Sequence, residues 1–387
     1  MTQPSDVLIY VQHLLGIGHV KRAAVIARAL AARNLSVTLV SGGFPVPNLE
    51  LGPVELVQLP PLKSADEAFS ALVDERGRPI DEAFKVARRD QLLALLARLQ
   101  PRMLITELFP FGRRQLRFEL MPLLAAADEL RPRPLIVSSV RDLLNPPIEP
   151  HKLAWMSEVF ERSYDRVLVH GDPSVVPFDI SFPPARALGE RLVYSGYVAE
   201  HQSEAWRGQG PDSEVLVSTG GGAVAGPLIE ACLDAHPLSG QKDRRWRILV
   251  GAKFPKADFT AARDRAPPGV VIERARPDFF ELLKGCALSI SQGGYNSVMD
   301  ILAAGPPAVV VPFSSESERE QGLRARYLED RGLLTRVEPG ALSGSSLANA
   351  MQKALALWQD RAPGRAGLAM DGAARSADLV MKWLDGR

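Results

Sequence analysis

The chain has 387 residues, too many for one ordinary hydrophobic core and well suited to two domains. Its composition is globular, with 46% apolar and 24% charged residues, and a formal net charge of +1 excludes a strong whole-molecule field for nucleic acid. Two cysteines, Cys232 and Cys286, exclude a disulfide framework or a cysteine-rich zinc site; with no signal-like N-terminus and no apolar run near ~20 residues, a soluble, cytoplasmic protein is expected.

Short apolar runs recur along the chain, separated by amphipathic segments. The first, Val7 to Val11, leads into Gly16-Ile17-Gly18-His19 and a helical segment from Ala23 to Ala32. Further runs follow at 37–40, 54–59, 103–106, 135–140, 166–170 and 192–195. Continuous apolar runs alternating with helices indicate parallel strands buried on both faces. Around Tyr197 to Asp212 periodicity stops, and this stretch reads as a linker. Beyond it a second series begins at 215–218 and continues at 247–250, 270–272, 288–291 and 308–312. The pattern predicts a doubly wound α/β fold, twice over. The expected division is a first domain over 1–198, a linker over 199–212 and a second domain over 213–370. A last helix within 371–387 is free to return to the first domain.

Each series opens with a strand, a glycine loop and a helix start, a geometry that presents backbone N–H groups to an anion. The first loop carries His19 at the carboxyl end of a strand, where open α/β sheets bind ligands, so His19 is the candidate general base. Its bland alternative is a helix-capping histidine. The loop is no dinucleotide fingerprint, because Lys21 stands where a third glycine is needed. The second loop, Ser218-Thr219-Gly220-Gly221-Gly222, is suited to a pyrophosphate, with a plain turn as the alternative; no Gly-Lys-Ser/Thr follows, so it is not a P-loop. The most informative stretch is Ser291-Gln292-Gly293-Gly294-Tyr295-Asn296-Ser297, followed at Asp300 by a carboxylate on the same helix face as Asn296 and Ser297. Helix-start donors there suit phosphate oxygens, and Asp300 suits ribose hydroxyls.

Gly-Gly-Tyr-Asn-Ser-x-x-Asp, followed by Ala-Gly-x-Pro and Val-Pro-Phe, resembles the donor site of GT-B glycosyltransferases. It is most similar to the MurG-like group, of the family 28 C-terminal type, and also resembles the plant UDP-glycosyltransferase signature. The resemblance spans both domains, with its motifs at 16–22, 218–223 and 291–325. It implies two Rossmann-like domains facing across a cleft, and an inverting transferase of cell-envelope polysaccharide or glycoconjugate synthesis. His19 would be the base, supported by Gly16, Gly18 and Arg22. Ser218, Gly220, Gly221, Gly222, Gly294, Asn296 and Ser297 would meet the donor diphosphate. Asp300 would hold the ribose where these families usually carry Glu. Glu320 and Gln321 would face the donor sugar, with Glu316 as the alternative register. No Asp-x-Asp occurs, so a metal-free site without a cofactor is expected, the nucleotide-sugar, a UDP-sugar by resemblance, being a co-substrate.

On the acceptor side, Glu107 is a candidate to orient His19, and Arg113 and Arg141 are candidates to meet an anionic acceptor, with ordinary surface ion pairs as the alternative. The acceptor is a small molecule, a polysaccharide or a lipid-linked group. Phe109, Phe111, Leu116 and Phe118, interleaved with Arg113, Arg114 and Arg117, read either as a peripheral membrane contact at the inner face or as a buried helix with a basic edge. Arg88-Arg89 reads as a solvated face. Remaining histidines show no metal-ligand spacing. Two rival functions stay open: Gly-x-Gly-His-x-x-Arg also resembles nucleotide-sugar hydrolases, with His19 activating water, and a non-enzymatic nucleotide-sugar binder would share the fold. UDP-sugar epimerases share it too, but their extra carboxylates are not evident.

Overall fold

The apolar runs form parallel sheets, as their continuity dictates. In the computed structural model, residues 5–66, 71–145, 149–200, 206–208, 210, 212–220, 225–313, 319–359 and 368–386 are described. The chain divides into two compact units, Met1–Glu200 with Ala369–Arg387, and His201–Leu368.

The first unit runs β1 (Val7–Val11), α1 (Gly18–Ala31), β2 (Val37–Ser41), β3 (Glu55–Gln58), β4 (Lys63–Ser64), β5 (Leu72–Val73), α2 (Glu82–Leu99), β6 (Met103–Glu107), α3 (Arg117–Glu129), β7 (Leu135–Arg141), α4 (Pro150–Ser163), β8 (Arg166–His170) and β9 (Leu192–Tyr194). Its main sheet is parallel throughout, in the order β3-β2-β1-β6-β7-β8-β9, while β4 and β5 pair as a small antiparallel ribbon. One face packs on α2, α3 and α4 through Leu92, Leu96, Leu120, Leu124 and Phe160. The other face packs on α1 through Val20, Ala24 and Ala27, and on the last helix, α11 (Gly372–Asp385), through Ala377, Val380 and Leu384. That helix is stitched in where it begins: Gly372 N–H donates to the Tyr197 carbonyl at 3.0 Å, and Tyr197 N–H donates to the Ala369 carbonyl at 2.6 Å.

The second unit runs β10 (Val215–Ser218), α5 (Gly226–Ala235), β11 (Trp246–Val250), α6 (Lys256–Asp264), β12 (Val270–Arg274), α7 (Phe279–Gly285), β13 (Leu288–Gln292), α8 (Tyr295–Ala304), β14 (Ala308–Val311), α9 (Glu320–Asp330), β15 (Thr335–Arg336) and α10 (Gly344–Gln359). Its sheet is parallel in the order β12-β11-β10-β13-β14-β15, again with the order reversing beside the first strand. Val217, Ile248, Ile290 and Val309 pack with Leu228, Ile229, Leu347 and Met351 of α5 and α10 on one face.

Candidate functional site

In an open parallel sheet the loops leave in opposite directions where strand order reverses, and a crevice opens at the carboxyl ends of those strands. In the first unit this lies between β1 and β6. Glu107 ends β6, Arg141 ends β7, His170 ends β8, and His19 sits in the first turn of α1. Gly16, in the loop ahead of α1, has open space where a side chain would stand.

His19 and Glu107 meet here. His19 Nδ1 lies 2.9 and 3.0 Å from the two Glu107 carboxylate oxygens. An ionised carboxylate only accepts, so Nδ1 carries the proton and donates it, leaving the Nε2 lone pair available. Burial pushes the His19 imidazole down to about 3; Glu107 opposes that shift and the Arg113 and Arg141 guanidiniums reinforce it. Around neutral pH the ring is therefore neutral, the state a base requires.

Glu107 is itself buried, which raises its pKa, but His19, Arg22 and Arg113 together outweigh burial and bring it down to about 2. Arg22 follows His19 by three residues on the same face of α1 and forms a buried ion pair with Glu107. Arg113 Nε donates to the Gln12 carbonyl at 2.9 Å. Burial draws the Arg113 guanidinium down to about 10, with Glu107 holding it up and Arg141 pushing it down, so it stays charged at neutral pH.

Behind this pair lie groups the sequence pattern does not single out. His170 is fully buried between two serines, Nε2 at 2.7 Å from Ser139 Oγ and Nδ1 at 2.9 Å from Ser195 Oγ. Burial takes its imidazole down to about 3. Only its place, a histidine closing an apolar strand, hints at this. Arg88 requires a correction: it is no solvated face. Its side chain is fully buried and all its donors are used, on both Glu119 oxygens, the Gly42 and Pro60 carbonyls and Gln12 Oε1. Of the two readings of Phe109, Phe111 and Leu116, the structure supports the buried one over a membrane contact. All three are buried, and Phe111 packs against Phe160, Phe178 and Phe182, so none is offered to a lipid surface. No described helix is long and apolar enough to cross a membrane.

In the second unit the order reverses between β10 and β13. Ser218 ends β10, and Gly220 follows with φ +68°, a left-handed conformation glycine adopts freely. Gln292 Oε1 lies 3.3 Å from where a Gly220 side chain would begin, so the two loops approach closely. Gly221, Gly222 and Glu316 fall outside the described residues. Gly294 caps α8, whose first turn carries no acidic residue to compete for its N–H groups. Asn296 is exposed, Ser297 and Asp300 half-buried, on one side of that helix. Glu320 and Gln321 part ways. Glu320 is buried in an ion pair with Arg324, whose guanidinium lies 4.9 Å from the Tyr295 ring centroid. Gln321 is half-buried, and its Oε1 accepts from the Phe313 N–H at 3.2 Å. Among the described residues no three His, Cys, Asp or Glu side chains gather as metal ligands would.

Comparison with known proteins agrees with this architecture. Residues 215–375 match the glycosyltransferase family 28 C-terminal domain. The chain is 31% identical over 142 residues to the NDP-glycosyltransferase YjiC of Bacillus licheniformis, covering 36% of this chain and 32% of that one. It is 26% identical over 184 residues to a UDP-N-acetylglucosamine--N-acetylmuramyl-(pentapeptide) pyrophosphoryl-undecaprenol N-acetylglucosamine transferase of Phenylobacterium zucineum, covering 46% of this chain and 50% of that one. These matches span about a third to a half of the relatives' length. Whole-chain likeness comes from solved structures. The calicheamicin glycosyltransferase CalG4 superposes with a TM-score of 0.62 at 18% identity, covering 100% of this chain and 99% of that one. Acinetobacter baumannii MurG gives 0.60 at 15% identity, covering 97% and 99%. The fold is GT-B.

Proposed function

We propose that this chain, which carries a glycosyltransferase family 28 C-terminal domain at residues 215–375 on a GT-B fold, moves a sugar from a nucleotide-sugar, by similarity a UDP-sugar, to an acceptor hydroxyl. The observation that carries this reading is the pairing of half-buried His19 with buried Glu107 at the carboxyl edge of the first sheet. A neutral imidazole whose Nδ1–H is committed to a carboxylate holds its Nε2 lone pair ready for one proton.

In the proposed reaction Nε2 takes the proton of the acceptor hydroxyl as its oxygen bonds to the anomeric carbon. The bond from that carbon to the diphosphate oxygen breaks on the opposite face, and the electron pair leaves with the nucleoside diphosphate. One displacement inverts the anomeric configuration. The imidazolium formed is stabilised by the Glu107 carboxylate, which Arg22 holds in place.

On the donor side, backbone N–H groups after Ser218 and at the start of α8, with Asn296 and Ser297, take the diphosphate without a metal, and Asp300 takes the ribose. Gln321 rather than Glu320 is the sugar contact. Its Nε2 is not engaged by the Phe313 bond, whereas both Glu320 and its partner Arg324 are buried. The decisive experiment is His19→Ala. Transfer should fall by ~10²–10⁴, with UDP affinity within about twofold of the parent; retained transfer would remove His19 from the chemistry.

A further inference from the structure

Arg88 of α2 and Glu119 of α3 form an ion pair in which neither side chain reaches solvent, and nothing in the proposed chemistry uses it. Both ions give up their hydration, so such a pair adds little net stability over apolar side chains of the same volume. What it does supply is direction, because a guanidinium is a rigid planar fork of five donors. Two of these go to Glu119, at 2.8 and 2.7 Å. The others leave the helices for loops: they reach the Gly42 carbonyl at 2.9 Å, the Pro60 carbonyl, and Gln12 Oε1 at 3.1 Å. The Tyr10 hydroxyl donates to Glu119 as well.

Gln12, Gly42 and Pro60 follow β1, β2 and β3, so the loops leaving the carboxyl ends of these strands hang on one side chain. The crevice opens at those ends. Gln12 carries the link further: its Nε2 donates to the His13 carbonyl at 2.8 Å and the Leu62 carbonyl at 3.1 Å, and its own carbonyl accepts from Arg113 Nε at 2.9 Å. Arg113 in turn acts on both His19 and Glu107. The second loop lies directly on this network. A side chain at Gly42 would begin 2.2 Å from Gln12 Oε1 and 2.6 Å from a terminal nitrogen of Arg88. The loops are also bonded to one another, Gly42 N–H to the Val11 carbonyl at 3.0 Å, Leu62 N–H to the Gly42 carbonyl at 3.2 Å and Ser64 N–H to the Leu14 carbonyl at 3.1 Å.

We propose that Arg88 is a positioning residue: held by Glu119, it fixes the loops after β1, β2 and β3, and through Gln12 the Arg113 guanidinium, in the arrangement in which His19 and Glu107 work. Its place in catalysis rests on the transferase reading; its hold on the loops does not.

The test compares the full chain with Arg88→Lys, with Arg88→Met/Glu119→Leu, and with Gln12→Met, which leaves the charge pair in place and serves should the double variant fail to fold. Lysine keeps the charge but brings three donors to acceptors that now take five. Amide hydrogen exchange, followed by mass spectrometry, should show segment 42–64 less protected by about tenfold or more in each variant, with 103–107 and 135–141 unchanged. In the same preparations kcat should fall by about tenfold or more at an unchanged KM for the donor. Protection lost across the whole sheet would make the pair a support of the fold alone and overturn the proposal. Unchanged exchange, or loosened loops with full kcat, would overturn it too. A parent chain without transfer activity would count against the transferase reading alone, and the exchange result would still decide whether Arg88 holds the loops.

Discussion

His19 Nδ1 stands 2.9 Å from Glu107 Oε1, and the same carboxylate holds Arg22, so one buried group both orients the candidate base and neutralises the arginine behind it. The two roles separate by mutation. Glu107→Gln keeps a hydrogen-bond acceptor near the ring but removes the carboxylate charge from the buried ion pair with Arg22. It should lower stability by about 3–5 kcal/mol, seen as a lower urea midpoint, and lower kcat by ~10²-fold or more. Adding Arg22→Met should restore most of the stability and none of the rate. If the double variant regains activity, Glu107 acts only as a counter-ion.

The pH dependence follows from the histidines. His170 is fully buried and lowered to about 3 from its usual 6.5 by burial, with Arg22 adding to the shift. Between those values the unfolded chain binds a proton there and the folded chain does not, so stability is complete above about 6.5 and falls as the pH drops toward 3. One proton corresponds to about 1.4 kcal/mol per pH unit, or roughly 4 °C per unit for a domain of this size. His19 adds in the same direction, and Glu107, lowered to about 2, adds a further loss below about 4.5. Melting curves from pH 7 to 4 should show this decline, with a shallower slope in His170→Gln. Equal slopes would show that His170 binds its proton in the folded state.

The rate should respond differently. With His19 neutral down to about 3, the kcat profile should show no ionisation near 6.5 on its acid side. An acid limb centred near 6.5 would show that the ring titrates as a solvated imidazole and that the carboxylate does not hold it as described.

In the second domain, Glu320→Gln and Gln321→Ala should part. Glu320→Gln removes the carboxylate charge from the buried ion pair with Arg324 and should lower stability by about 3–5 kcal/mol while the folded protein keeps its KM for the donor. Gln321→Ala should leave the melting temperature nearly unchanged and raise that KM. The reverse pattern would return the sugar contact to Glu320. Asp300→Ala should weaken UDP binding by about 1–3 kcal/mol, read by calorimetry; unchanged affinity would remove it from the site.

Much of this architecture is written in local pattern. The unbroken apolar runs at 7–11, 103–106, 215–218 and 288–291 are central strands because parallel strands are covered on both faces, and glycine loops after them mark the ligand edge. Glu107 could be singled out for the same reason, as a carboxylate ending such a run. The bonding of Arg22, the burial of Arg88 and the serine clasp on His170 are not local. They depend on strands far apart in sequence: Arg88 meets Glu119 and Gln12, and His170 meets Ser139 and Ser195. A charged residue in a helix pattern reads as solvent-facing because its partner is invisible in the pattern. In the Phe109 to Leu116 segment the pattern leaves a buried and a surface reading open, and the partners that decide for burial are distant in sequence: Phe111 packs on Phe160, Phe178 and Phe182.

The most direct test of sugar transfer with His19 as base is a proton NMR time course with a panel of UDP- and dTDP-sugars, run with and without a library of anionic and neutral hydroxyl acceptors. The account predicts a donor that binds, that is consumed only when an acceptor is present, and that gives a product of inverted anomeric configuration, with turnover lost in His19→Ala. Free sugar released at a catalytic rate without any acceptor would contradict it and make the chain a nucleotide-sugar hydrolase.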